Sequence, residues 1–143
     1  FENRASNQIP INVIPAAPGI FTQNSSGGGA GSVIRQTGEL ITAQAPAAAG
    51  EVLTLFATGE GATTPAGIDG KPVAAPLPLP KLAVKVVIDG QEIDSLYAGG
   101  APGLVAGVLQ VNFTMPPSPS GPRRLRLKIG DKLSPDTVTI NAR

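Results

Sequence analysis

Cysteine, histidine and tryptophan are all missing from this chain of 143 residues. Without cysteine there can be no disulfide, no thiolate nucleophile and no cysteine-ligated metal site. Without histidine as well, neither a Ser-His nor a Cys-His nucleophile pair can form within the chain. The catalytic chemistry that remains is that of carboxylates, or of serine with lysine.

Charge and aromatic side chains are scarce. Charged residues make up 15% of the chain and the formal net charge is +1, so no global field would steer nucleic acids or anionic membranes toward it. One tyrosine and four phenylalanines are few for the stacking platforms of nucleic-acid sites and for the aromatic surfaces of sugar sites. We therefore expect no nucleic-acid partner.

Long apolar runs are absent too. No apolar stretch approaches the roughly 20 residues that cross a bilayer, so we expect no membrane span. We do not interpret the opening residues as a signal peptide. If the protein is secreted, we expect its signal to lie upstream of this segment.

Glycine and proline are abundant, with 18 and 15 residues, and they punctuate short apolar runs. The longest turn-rich stretch is Gly59–Pro80. Its end, PLPLP at Pro76–Pro80, predicts an extended edge or loop, because proline has no N–H to donate. The segment Gln23–Ser32 has no side chains with which to build a core, which predicts a mobile loop.

Alternating apolar and polar residues predict several β-strands. Val52–Thr58 is the best candidate for a central strand, because both of its faces carry apolar residues. Asp89-Gly90 predicts a hairpin, since both central residues of a type I′ turn need positive φ. The hairpin would join the strands Leu82–Ile88 and Gln91–Tyr97. The other predicted strands are Ser32–Arg35 and Glu39–Ala43, which form a hairpin around Thr37-Gly38, and Ile9–Ile14, Leu109–Thr114, Arg124–Ile129 and Thr137–Asn141.

Short strands, frequent turn signals and the lack of a helical period predict an all-β fold. We interpret it as an immunoglobulin-like β-sandwich of short antiparallel strands, although the Cys and Trp markers are missing. We expect this domain to span residues 15–143. Residues 1–14 would hold a turn and a strand that belongs to the end of an upstream unit. The predicted core includes Leu55, Val86, Leu109, Val111, Phe113 and Leu127.

Carboxylates offer two candidate sites. Asp89, Glu92 and Asp94 cluster around one hairpin, and paired carboxylates could serve a glycosidase. We favour a turn role for Asp89 with solvated neighbours. Glu60 and Asp69 flank a Gly-rich loop that could supply oxygen ligands to Ca²⁺, but their spacing matches no recognised calcium loop, so we favour ordinary turn chemistry.

Basic residues concentrate near the end of the chain, at Arg123, Arg124, Arg126, Lys128 and Lys132. Alternation places Arg124, Arg126 and Lys128 on one strand face, which could meet phosphate or acidic glycans. We favour a solvated face that discourages edge pairing.

Three smaller signals have structural explanations. Gly27–Gly31 and Gly59–Gly61 resemble phosphate loops, but neither precedes a predicted helix or a Lys-Ser/Thr pair. Tyr97, beside a Gly-rich corner, is expected to pack with its hydroxyl bonded to backbone. The glycosylation sequons at Asn24 and Asn112 are interpreted as chance.

Several motifs together carry a family resemblance. They are PGIFT at Pro18–Thr22, FATGEG at Phe56–Gly61 with the turn Asp69-Gly70, and YAGGAPGLVAG at Tyr97–Gly107 followed by Gln110–Asn112 and Pro116. The chain resembles an uncharacterised bacterial domain near the C-termini of large secreted proteins, abundant in Solibacter-type acidobacteria. Phe56 replaces the family's usual Tyr, and Ala106 separates its usual Val-Gly pair. No catalytic or ligand residues are attributed to that family.

The resemblance and the composition together predict a non-catalytic structural or interaction module of a larger secreted or cell-surface bacterial protein. We expect no catalytic, cofactor-binding or metal-binding residues. The expected partners are neighbouring domains of the same polypeptide and an extracellular protein or glycan ligand. The alternative is an adhesion module that binds an extracellular polysaccharide or protein through the loops Gly59–Pro80 and Gln23–Ser32.

Overall fold

Thirteen short β-strands run through residues 7–143, the part of the chain that the computed structural model describes. In chain order they are β1 (Gly19–Ile20), β2 (Gly29–Ala30), β3 (Val33–Arg35), β4 (Val52–Thr58), β5 (Thr63–Thr64), β6 (Leu79–Pro80), β7 (Val84–Ile88), β8 (Gln91–Asp94), β9 (Tyr97–Gly100), β10 (Leu109–Thr114), β11 (Gly121–Ile129), β12 (Lys132–Leu133) and β13 (Val138–Ala142). No helix that could cross a bilayer occurs within these residues.

Eleven of these strands form two sheets that pack face to face, and the other two, β5 and β6, pair only with each other. The first sheet has the order β1-β4-β10-β9, with β3 also beside β4, and the second has the order β2-β13-β11-β7-β8, with β12 beside β11. All these pairs are antiparallel except β2 with β13. Two sandwiched antiparallel sheets confirm the all-β sandwich prediction. In immunoglobulin-like sandwiches the strands are lettered, and one sheet has the order A-B-E-D while the other has the order G-F-C. The strand order of the two sheets here is consistent with that arrangement.

The core lies between the sheets and is built from alternate residues of each long strand. All six residues predicted to be buried are at most 1% exposed: Leu55, Val86, Leu109, Val111, Phe113 and Leu127. The prediction for β4 is confirmed as well. It lies centrally, with Leu53, Leu55 and Ala57 fully buried and the opposite face, including Phe56, half-buried.

The Asp89-Gly90 hairpin is confirmed, with φ of 48° at Asp89 and 89° at Gly90. Its second arm is shorter than predicted, because Gln91–Tyr97 divides between the two sheets. The Ser95 hydroxyl donates to the Val84 carbonyl at 2.9 Å, and the next amide, that of Leu96, donates to the Asn112 carbonyl in the first sheet at 2.8 Å. The chain therefore changes sheet between β8 and β9.

The predicted hairpin at Thr37-Gly38 forms only in part. The Arg35 amide donates to the Glu39 carbonyl across the turn at 2.8 Å. Beyond it, Leu40 makes a single bridge to Ile34, and the segment 39–43 is not a strand. A tight turn, in which the Ala45 amide donates to the Thr42 hydroxyl at 3.1 Å, draws the chain away from β3.

The segment Gln23–Ser32 is more ordered than the predicted mobile loop, because backbone hydrogen bonds hold it against β13. The amides of Gly29 and Gly31 donate to the carbonyls of Thr137 and Thr139 at 2.8 and 2.9 Å. A Cβ on Gly31 would lie 3.2 Å from the side chains of Leu125 and Val138. The glycines thus permit a close approach instead of marking a featureless loop.

The segment Ile9–Ile14 is not a strand of this sandwich, and its predicted place in an upstream unit stays a prediction. Within the described residues, 7–14 have no strand pairing, and Ile9, Ile11 and Val13 are 78, 82 and 95% exposed. Most of the turn predicted before them lies in residues 1–6, outside the described part of the chain. The prolines of Pro76–Pro80 behave as predicted, since β6 pairs only with the two residues of β5.

Candidate functional site

A groove of about 500 Å³ lies on the outer face of the second sheet. It forms because the inward residues of β11 are the buried Leu125, Leu127 and Ile129, which leaves the alternate residues facing outward. The groove is lined by Val87, Asp89, Gly90, Glu92, Arg124, Arg126, Lys128, Leu133 and Asp136. The predicted row of basic side chains on one strand face is therefore confirmed.

Most of the charged side chains on this face form ion pairs with one another. Lys128 bonds to Glu92, and Arg124 lies 3.1 Å from Asp136. Lys85 lies 3.1 Å from Asp94 and 3.5 Å from Glu92. The hydrogen bond from Lys128 holds the pKa of Glu92 below its ordinary value, and the hydrogen bond with Asp94 raises the pKa of Lys85. Glu92 and Lys85 therefore both favour their charged forms.

The remaining cations of the basic segment lie apart from the row. Lys132 pairs with the adjacent Asp131 at 2.9 Å. Arg123 precedes Arg124 in β11 and therefore faces the opposite side of the sheet. Its guanidinium lies 3.5 Å from the Asp89 carboxylate. Three of the five predicted basic residues, those of the row itself, thus share the groove.

The candidate catalytic carboxylates are only partly brought together. Asp89 and Glu92 line the groove, whereas Asp94 does not. Asp89 accepts a hydrogen bond from the Arg124 amide at 2.9 Å and so holds the hairpin turn against β11. A general acid needs a raised pKa, but that of Glu92 is lowered. These carboxylates are arranged for ion pairing, and Asp89 has the predicted turn role.

Arg126 differs from its two neighbours in the row. Its Nε donates to the Ser134 carbonyl at 2.8 Å. Ser134 is 1% exposed and is itself fixed, because its hydroxyl accepts from the Leu127 amide at 2.9 Å and its amide donates to the Leu127 carbonyl at 2.8 Å. Within residues 7–143, the terminal nitrogens of Arg126 have neither a hydrogen-bond acceptor nor a carboxylate partner.

The role of Ser134 was missed in the sequence. It follows β12 directly, at a position that neither alternation nor a motif marks. Only the folded chain places its carbonyl beside the guanidinium of Arg126.

Two smaller cavities lie among the loops of Gly59–Pro80. One of about 360 Å³ is mainly apolar and is lined by residues that include Ile68, Val73 and Ala106. The other, of about 200 Å³, is lined by both Glu60 and Asp69. No group of three metal-ligating side chains occurs there or elsewhere among the described residues. The two carboxylates thus share a cavity, and no third His, Cys, Asp or Glu is grouped with them among the described residues.

The glycine-rich segments have structural roles. Neither Gly27–Gly31 nor Gly59–Gly61 precedes a helix. Gly59 and Gly61 have φ of 81° and 75°, and a Cβ on either would collide with the carbonyl of Ala17 or Pro15. These glycines let the entering chain lie against the end of β4.

Tyr97 and the two sequon asparagines are likewise bonded within the fold. Tyr97 donates its hydroxyl to the Gly100 carbonyl at 3.0 Å, as predicted. The side-chain oxygen of Asn112 accepts from Thr54 at 2.9 Å and from Gln110 at 3.1 Å. The oxygen of Asn24 accepts from the Ser26 amide at 3.1 Å and organises a turn.

Comparison with known proteins gives no match to a protein-family model, to a curated protein or to a solved structure.

Proposed function

We propose that this chain is a non-catalytic structural and interaction module of a larger secreted or cell-surface bacterial protein. The observation that carries the proposal is the exposed apolar segment Ile9–Ile14, which lies outside a sandwich whose own core is closed. Alternating apolar side chains that are more than three-quarters exposed at Ile9, Ile11 and Val13 favour a covering partner. The family resemblance supplies the extracellular setting.

The partner proposed for this segment is a neighbouring domain of the same polypeptide. A domain joined through the chain has an effective concentration in the millimolar range for short linkers, so little binding energy of its own is needed. The segment leads directly into the sandwich at Ala16, which is 2% exposed. A contact made by Ile9–Ile14 would therefore fix the orientation of the two domains. A fixed orientation is what a structural module that spaces its neighbours requires.

The non-catalytic part of the proposal is supported by the state of the carboxylates. Glu92 and Asp94 are engaged by lysines, and Asp89 is engaged by an amide and Arg123. Enzymatic pairs of carboxylates usually have environments that push their pKa values apart, with one acid kept protonated. A lowered pKa at Glu92 is the opposite of what such an acid needs.

The proposed location, in a larger extracellular polypeptide, is tested on native cells with an antibody against this domain. We expect a polypeptide much larger than 14.4 kDa, in the surface or secreted fraction and sensitive to external protease. A small cytoplasmic band protected from protease would overturn the proposal.

The interaction is tested on the full polypeptide by replacing Ile9, Ile11 and Val13 with serine. Limited proteolysis should then cut faster at the junction with the neighbouring domain, while the melting temperature of this domain stays unchanged because the three side chains are exposed. The matched control replaces Ile68, Leu104 and Val105, which are also exposed. Equal cleavage in both triple variants would contradict a role for the segment.

A second candidate function is the binding of an extracellular polysaccharide or protein by the loops of Gly59–Pro80. The two cavities of about 360 and 200 Å³ among these loops favour it. A glycan panel probed with and without calcium tests this alternative. Binding above background that falls when Glu60 and Asp69 are replaced by their amides would support it, and no binding in either condition would remove it.

A further inference from the structure

Among residues 7–143, one cation of the outer groove has terminal nitrogens that meet no carboxylate. Arg124 and Lys128 are each matched by a carboxylate, at Asp136 and Glu92. Arg126 lies between them on the strand and has no such partner among the described residues. The local charge that remains after pairing is therefore concentrated on one guanidinium.

This guanidinium is held in a fixed orientation before any ligand arrives. Its Nε bond to Ser134 uses one edge, and Ser134 is locked to Leu127 by two hydrogen bonds. The two terminal nitrogens are left to donate. A planar pair of N–H donors matches the two oxygens of a carboxylate, and a side chain already ordered loses less entropy on binding.

The rest of the groove limits what the carboxylate can belong to. Asp89, Glu92 and Asp136 also line it, and their oxygens accept hydrogen bonds. A ligand with several negative charges per unit, such as a sulfated sugar, would bring further negative charge against these three side chains, whereas a sugar with one carboxylate and several hydroxyl groups would donate to them. The apolar surface of Val87 and Leu133 can contact a ring's C–H groups. The volume of about 500 Å³ lies within the range of small-molecule sites.

The geometry points to a uronic-acid site in this groove, in which Arg126 binds the sugar carboxylate and the flanking carboxylates accept its ring hydroxyls. The site is separate from the loops of the second candidate function. The inference deepens the proposed interaction role and rests on it for the extracellular setting in which acidic polysaccharides occur. Because the groove has no aromatic platform, a single sugar should bind weakly, with a dissociation constant in the millimolar range.

The test is a titration of the ¹⁵N-labelled chain, followed by amide chemical shifts. The probes are sodium glucuronate, a galacturonate oligomer, glucose, an acidic peptide and heparin. We expect glucuronate and the oligomer to shift the amides of Val87, Arg126 and Leu133, with the oligomer binding more tightly if the polymer is the natural source. Glucose should cause no shift.

Arg126→Gln should weaken glucuronate binding about tenfold or more, because a charge-assisted bidentate contact is lost. Lys81→Gln is the control, since it removes one positive charge from an exposed position that does not line the groove. If Arg126→Gln disturbs the fold, Leu133→Asp replaces a partly exposed side chain and should weaken binding by placing a repelling charge in the groove.

Four outcomes would overturn the inference: no shift with either uronate probe, equal binding of glucose, unchanged binding by Arg126→Gln, or tighter binding of heparin or the acidic peptide. None of them bears on whether the domain is part of a large extracellular polypeptide. The cell-fractionation result can fail or succeed independently.

Discussion

The two sheets share one core but have different outer faces. On the first sheet the outward side chains of β4 and β10 are neutral, and Thr54, Gln110 and Asn112 form a small hydrogen-bonded group. On the second sheet the outward side chains of β7, β8 and β11 form ion pairs around a groove. Both sheets bury the same kind of inward residue. The difference shows that the inward side chains of the strands maintain the sandwich, while the outward side chains can differ in charge between the two sheets.

The neutral face of the first sheet also has closer backbone packing. Gly99 in β9 lies opposite the outward Gln110 and is buried, and a Cβ on it would lie 2.8 Å from the Leu79 side chain. The strand β6 therefore covers part of this face. The outer face of the second sheet carries its own long side chains and the residues that follow β12, and a ligand-sized groove lies among them.

The largest expected effect tests the shared core. Phe113→Ala removes a fully buried ring between the sheets and should lower the free energy of unfolding by roughly 3–5 kcal/mol. Phe21→Ala is the control, because Phe21 is 39% exposed. Urea denaturation measures both variants. Equal shifts in the midpoint would mean that β10 does not face the core as described.

The next effect tests the close packing of the first sheet. Gly99→Ala places a Cβ 2.5 Å from the Tyr97 hydroxyl and 2.8 Å from a Leu79 methyl, so these side chains must move. We expect a loss of about 1–3 kcal/mol, as for overpacking in a core. Gly28→Ala is the control, since its Cβ meets nothing closer than 3.6 Å. The melting temperatures of the two variants are compared. A Gly99→Ala variant as stable as the wild type would contradict the close packing of Tyr97 against Gly99.

A smaller effect sharpens the contrast between the neutral and charged faces. Asn112→Ala leaves Thr54 and Gln110 without their acceptor and should cost about 0.5–1.5 kcal/mol. Because no charge is involved, this cost should be the same in low salt and at about 1 M salt. Thr114→Ala on the same strand face is the control. A cost that disappears in salt would contradict the neutral character of this face.

The smallest effect concerns the charged face and its pH dependence. The pKa of Glu92 is lowered from 4.5 by Lys128, so the stability that this carboxylate contributes is present above pH 4.5 and is lost as pH falls through the lower folded-state value. Glu92→Gln should therefore reduce stability slightly at neutral pH, and the difference from the wild type should vanish in acid and in high salt.

The control for this measurement is Glu60→Gln, because Glu60 forms no salt bridge within the described residues. Denaturant midpoints are compared from neutral to acidic pH. A difference between Glu92→Gln and the wild type that grows in acid would reverse the expected sign and count against the ion pair with Lys128.

Prediction from the sequence succeeded where the signal was local and periodic. The alternation in Leu109–Thr114 and Arg124–Ile129 located β10, most of β11 and the row of basic residues. The turn Asp89-Gly90 was found because its backbone requirement is specific.

Prediction failed where the outcome depended on distant partners. Gln23–Ser32 has few large side chains, yet its glycine amides donate to the carbonyls of Thr137 and Thr139. The strand predicted at Glu39–Ala43 is absent, because the turn at Thr42 draws the chain away from β3.

The sequence by itself determined the class of fold and the inward face of each long strand, because a period of two residues decides which side chains can be buried together. Only the tertiary structure decided which outward charges neutralise one another and which remain free. Arg124, Arg126 and Lys128 are equivalent in the sequence pattern, but the partners Asp136, Ser134 and Glu92 come from β8 and from the residues that follow β12. Ion pairing acts over a few ångströms of space, and that separation is unrelated to separation along the chain.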